Sequence, residues 1–260
     1  NRISSSFSLS TYSNLVYTQS IMSETAFQVH NDKFHCILGH FPTLQLLSQN
    51  DTYPFAHEAG VYIPATDHLF ITSNRYTDNN NNQKIQITRI NLSTTPVTCE
   101  ELEPPIPMGN GGVNYSPNEI LICGQGNLTE PSGLYTMSTT APYTSKLLVG
   151  DFLGRPFNSV NDVVVHSDGS IWFTDPIYGF EQGYRPAPAL PCQVYRFDPV
   201  DRSIRAVADG FGRPNGICFS PDECTVYVTD TDRHHGDGTD DPHRVSMFVL
   251  PMRSIWVGVC

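Results

Sequence analysis

Residues 161–175 read NDVVVHSDGSIWFTD, and this stretch decides the fold. Its two apolar runs, Val163-Val164-Val165 and Ile171-Trp172-Phe173, are β-branched and aromatic, and His166-Ser167-Asp168-Gly169-Ser170 separates them. Short β-prone runs on either side of a polar, Gly-containing turn are a hairpin signature. The layout returns three more times, from Glu58 (EAGVYIPATDHLFITS), Gly111 (GGVNYSPNEILICG) and Asn215 (NGICFSPDECTVYVTD). Starts at 58, 111, 161 and 215 lie 53, 50 and 54 residues apart. Pro64, Pro117 and Pro221 each follow their start by six residues, where the third copy has Ser167.

Between the copies lie further strand-like stretches at 84–91, 133–137, 193–198 and 244–250. A unit of about 50 residues with about four strands matches one blade of a β-propeller. Helical repeats would show a 3.6-residue apolar period, which is absent here. The chain is therefore read as all-β, with residues 51–260 forming propeller blades. Residues 1–50 form an N-terminal segment able to supply the strand that closes the last blade.

Composition narrows the function. Only 16% of residues are charged, and 20 Pro with 19 Gly punctuate the chain, a profile of short elements joined by turns. A formal net charge of −11 argues against a nucleic-acid partner, which needs clustered Lys and Arg. No run of apolar residues is long enough for a membrane helix. Four Asn-x-Ser/Thr sequons, at Asn50, Asn91, Asn114 and Asn127, favour a secreted glycoprotein. The chain begins with Asn1, as a processed chain or a fragment does. Seven Cys leave at least one thiol unpaired within the chain; Cys218 and Cys224 flank a turn, either as a bridge or as separate thiols.

The polar residues opening each repeat matter geometrically. In a propeller the innermost strands line a central channel, so their first residues converge on one axial end. Glu58, Asn161 and Asn215 occupy equivalent offsets, with Asn110 or Gly111 in the second copy. Carboxylate and amide oxygens are the donors a hard cation such as calcium selects. The alternative for each Asn taken singly is support of a tight turn. The loop 230–243, rich in His and Asp, has no fixed ligand spacing and reads as a solvated connection rather than a transition-metal site. His57, as a strand neighbour of Glu58, is expected to point away from it into packing. No Gly-x-Ser-x-Gly elbow is present, so nothing signals a serine nucleophile.

Two stretches carry a resemblance. Residues 157–165 (FNSVNDVVV) with 167–176 (SDGSIWFTDP), and residues 213–217 (RPNGI) with 219–222 (FSPD) and 226–230 (VYVTD), resemble the gluconolactonase/regucalcin family, nearest its fungal lactonohydrolase branch. The resemblance implies a six-bladed propeller, a divalent cation such as calcium at the channel mouth, and hydrolysis of sugar-type lactones. It implies metal ligation by Glu58, Asn161 and Asn215, and substrate contact by Asn161, Asp162 and Asn110, with Gln125 and Asn127 as further candidates. The family's Asp ligand, commonly its general base, lies in a later blade. By the observed spacing a fifth repeat starts at roughly residue 265–270, so the catalytic residue is unknown and the expectation is a C-terminally truncated propeller of about four to five blades. Residues 252–260 do not resemble the family's continuation. A non-catalytic binding scaffold, or an inactive truncated lactonase, is the other reading of the same residues.

Overall fold

The computed structural model describes residues 20–21, 27–241 and 246–252. Among them, four larger antiparallel sheets follow one another along the chain, each built up-and-down in chain order, with small two-stranded hairpins such as Tyr76–Thr77 with Gln83–Lys84 in the connections. The first holds Glu58–Ile63, His68–Thr72, Ile87–Asn91 and Thr98–Leu102. The second holds Gly109–Ser116, Glu119–Gly124, Gly133–Ser138 and Ser145–Val149. Val163–Val165, Ile171–Asp175, Gln193–Phe197 and Ile204–Ala208 make the third. The fourth has Pro214–Phe219, Thr225–Asp230 and Ser246–Pro251. The first strand of each sheet packs beside that of the next, so the sheets are four propeller blades, within the expected four to five.

The apolar runs explain themselves in this arrangement. A blade is covered on both faces, so its second strand reads as continuous hydrophobic sequence rather than as alternation. Side chains still alternate between faces. Ile120 and Ile122 pack with Val61 and Phe70 of the first blade. Leu121 and Cys123, between and after them, pack with Phe157 and Phe173 of the third-blade region. Trp172 turns the other way, into a cluster with Ile217, Val226 and Val228 of the fourth blade.

In the N-terminal segment, Ser20–Ile21 pairs with Leu44–Gln45, and a short helix spans Phe34–Leu38. Residues 1–19 and 22–26, on which part of the blade-closing expectation falls, lie outside the described residues, as do 253–260. Cys218 and Cys224 are exposed free thiols; Cys218 stands opposite Tyr227, which leaves the separate-thiol reading. No helix among the described residues is long and apolar enough to cross a membrane.

Candidate functional site

Every inner strand is irregular at its opening residues, and the irregularity has one form. In the first blade Glu58 faces Thr72 while Val61 faces Phe70, so three steps on the inner strand match two on its neighbour. The fourth blade repeats this with Pro214 opposite Asp230 and Ile217 opposite Val228. The second does so with Gly109 opposite Gly124 and Gly112 opposite Ile122. In the third, Asn161 N–H donates to Thr174 O, and Thr174 N–H donates to Asp162 O, so two residues share one partner. Each is a β-bulge, which kinks the strand and re-aims the side chains it contains. Asn110, Asn161, Asp162 and Asn215 all lie in these bulges, and Glu58 opens the first. Ala59, the next residue, adopts φ 52°, a conformation costly for a residue with a Cβ.

The bulges interlock. Gly111 N–H donates to Asn161 O at 2.9 Å, an approach only glycine permits. A Cβ at Gly111 would stand 2.6 Å from Asn161 O and 2.7 Å from Asp162 Oδ1. Thr72 Oγ1 donates to Asn110 O at 3.0 Å, and Thr174 Oγ1 donates to Asn215 O at 2.7 Å. The first hydroxyl ties the first blade to the second, and the other ties the third to the fourth. Asp162 accepts Val163 N–H on Oδ1 at 2.8 Å and Ile217 N–H on Oδ2 at 2.9 Å. Its carboxylate thus spans the third and fourth blades while facing Glu58 of the first.

Electrostatics record that proximity. Burial raises the Glu58 carboxyl above the usual carboxylate range, and the negative charge of Asp162 raises it further. Asp162 is also raised by burial, against the two N–H donors. In the bulges of the second and third blades, the side-chain oxygens of Asn110 and Asn161, residues only 5% exposed, have no hydrogen-bond partner. A buried amide oxygen left without a donor costs about 1–3 kcal/mol. Repelling carboxylates and an unpartnered amide oxygen at Asn161 are the oxygen donors a hard cation selects, and the Asn110 oxygen is left open to a further donor. Among the described residues no three of His, Cys, Asp and Glu gather as a cluster; half of the oxygen-bearing side chains named here are amides.

Other candidates separate. The His57 ring is 43% exposed and stands 3.7 Å from the Glu58 carboxylate, so it belongs to the rim of the site rather than to packing. Gln125 is buried and accepts the Tyr184 hydroxyl at 2.7 Å. Asn127 spends its side-chain oxygen on Thr129 N–H and Glu130 N–H in a local turn. In the 230–241 part of the His/Asp loop, His234 contacts Asp240, His235 contacts Thr239, and Asp232 pairs with Arg213. These groups pair with one another, which agrees with a connecting loop; His243 lies outside the described residues.

A supporting layer has no counterpart in the sequence reading. Asp175 accepts Asn158 N–H and Ser159 N–H at 2.9 and 2.8 Å. Asp230 accepts Gly212 N–H and Arg213 N–H at 2.9 and 2.7 Å. The same device therefore fixes the loops that deliver Asn161 and Asn215. Its signal was the repeated Thr-Asp at 174–175 and 229–230, which reads as a strand ending.

Blades ringed about an axis, with polar bulges gathered at one end, define a β-propeller with an axial oxygen-donor site. Residues 50–235 match the SMP-30/Gluconolactonase/LRE-like region, and the chain belongs to that family. Lactonohydrolase oryL of Aspergillus oryzae is 37% identical over 188 residues, covering 68% of this chain and 41% of that protein. A gluconolactonase of Zymomonas mobilis is 33% identical over 113 residues, 39% of this chain and 30% of that one. The solved gluconolactonase of Xanthomonas campestris superposes with a TM-score of 0.59 at 25% identity, covering 77% of this chain and 60% of that one. The chain thus spans less than half the length of these two sequence relatives.

Proposed function

We propose that this chain carries the cation-binding part of a metal-dependent lactonase acting on sugar-type lactones, with calcium or another divalent cation as cofactor. The observation that carries the reading is the pair of unpartnered amide oxygens of Asn110 and Asn161 together with the Glu58–Asp162 carboxylates. Glu58, Asn161 and Asn215 would hold the cation. The chemistry such a cation supplies when bound is Lewis acidity toward a carbonyl oxygen. Amide ligands dissipate less of that positive charge than carboxylates do. Asn110, through its free side-chain oxygen, accepts a hydroxyl hydrogen of a polyhydroxylated ring, and Asn161 and Asp162 form the adjoining wall. Interlocked bulges hold these groups before substrate arrives, so little reorganisation accompanies the reaction.

Calcium calorimetry on the chain and on Asn215→Ala, with hydrolysis of an aldonolactone followed with and without EDTA, tests the reading. Calcium binding lost in the variant, with hydrolysis that EDTA abolishes, is the expected result; hydrolysis that survives EDTA sinks it. Secretion belongs to the same proposal. It is supported by sequons at Asn50, Asn91 and Asn127 whose Ser or Thr lies in an exposed turn against the Asn side chain. A mass shift on peptide-N-glycosidase treatment of the natural product is expected, and its absence would count against secretion.

A further inference from the structure

The segment 176–192, between the second and third strands of the third blade, carries a one-turn helix, Tyr178–Glu181. It touches both loops that deliver amides to the site. Gly179 N–H donates to Ser159 Oγ at 2.9 Å, two residues before Asn161. Glu181 pairs with Arg213, two residues before Asn215, and its other oxygen accepts Gly236 N–H at 2.7 Å. Tyr178 reaches into the fourth blade, where its hydroxyl contacts Thr231 Oγ1.

Thr231 Oγ1 lies at the centre of this contact. A threonine hydroxyl has one hydrogen and two lone pairs. Arg213 O is an acceptor for it at 3.5 Å, and one lone pair accepts Asn215 Nδ2 at 3.3 Å. Either hydroxyl of the Tyr178–Thr231 pair can serve as the donor, so the pair adjusts around the Asn215 amide. Asn215 also lies within hydrogen-bonding reach of that phenol oxygen. The Nδ2 edge of Asn215 faces this hydroxyl pair, and Oδ1 occupies the opposite edge.

We propose that Tyr178 is a positioning residue for Asn215, and that the 178–181 helix clamps the two amide-bearing loops of the site in register. The inference rests on the cation-binding reading above and deepens it, because it assigns the orientation of one ligand to a side chain from another blade. A hydroxyl that orients a ligand's free edge acts like any outer-shell partner of a metal ligand, whose loss weakens metal affinity about 10–100-fold.

The test is calcium calorimetry on the full chain and on Tyr178→Phe, Thr231→Val, their double variant and Tyr62→Phe. Tyr62 is a control: its hydroxyl donates to Asp67 at 2.9 Å at the turn end of the first blade's inner hairpin, away from the opening residues. Each network variant is expected to weaken calcium affinity about 10–100-fold. The double variant should lose little more than either single, because one network is removed, and Tyr62→Phe should match the parent. Unfolding in EDTA supplies the readout that a structural role alone would move, and Tyr178→Phe should stay close to the parent there. Unchanged affinity in Tyr178→Phe overturns the inference while leaving the cation site standing. An affinity loss matched by collapse of the metal-free fold overturns the positioning role. A parent chain that binds no calcium removes the reading and the inference together.

Discussion

Glu58→Gln is expected to raise the unfolding midpoint of the metal-free chain and, in the same protein, to remove its calcium binding. Both effects follow from one arrangement. Glu58 is half-buried and faces Asp162, and both carboxyls are raised above their ordinary range. A carboxyl whose folded pKa exceeds its unfolded value contributes stability below the unfolded pKa and loses it as pH rises through the folded one. The metal-free parent should therefore lose stability as the pH climbs above about 4, whereas Glu58→Gln should flatten that slope. The 32% exposure of the Glu58 side chain lets solvent screen part of the variant's gain at neutral pH. Calcium reverses the sign. A cation binds the ionised groups, protons compete with it, and affinity weakens on acidification. Removing the carboxylate should weaken calcium binding more than about 100-fold. Urea unfolding in EDTA at acid and alkaline pH, beside calorimetry, checks both arms. A variant less stable than the parent at alkaline pH contradicts the argument.

The uneven legibility of this site in the sequence has a physical origin. The hairpins were readable because both faces of a blade are buried, which leaves apolar runs such as Leu121-Ile122-Cys123 that only a sandwiched strand needs. The common offset of Glu58, Asn161 and Asn215 at the start of their repeats was readable because it depends on repeat spacing alone. Their bulges were not, since a bulge is a property of register between two strands, and neither strand announces it singly. Strict alternation consequently misplaced His57, which the structure sets at the rim beside Glu58. Asn127 drew attention as a polar residue near an inner strand, but a short side chain followed by Thr and Glu is better satisfied by its own turn. Tyr178 and Thr231 escaped notice because their partnership joins a connection of one blade to the strand end of the next, 53 residues apart.

Removing Arg185 is expected to be the most damaging single change outside the blade cores. The residue is 8% exposed, and its guanidinium donates to four backbone carbonyls. Nε reaches Asn158 O at 2.8 Å, Nη2 reaches Phe157 O at 2.7 Å, and Nη1 reaches Asn127 O and Glu130 O at 2.8 and 3.1 Å. Two turns from neighbouring blades are thereby held by one planar group, with Asp175 supplying opposite charge. Arg185→Ala removes a donor from each of those carbonyls, of which Glu130 O retains Asn127 N–H, and leaves Asp175 without its compensating cation. Breaking such a buried charge network costs about 3–5 kcal/mol, or roughly 10 °C in a chain of this size. Arg185→Lys should recover only a minor part, because an ammonium cannot span two turns as a guanidinium fork does. The pH dependence distinguishes this account from simple loss of packing. Burial pushes Asp175 up to about 7 even with Arg185 in place, so its contribution to stability is full below about pH 4 and is lost as pH rises through the folded value. Without the arginine that folded value moves higher, and the decline in stability should continue to more alkaline pH. Thermal melts of both variants across that range decide the matter. A melting point for Arg185→Ala within about 2 °C of the parent would show that these carbonyls find other donors, and that the clamp between the 127–130 and 157–158 turns lies elsewhere.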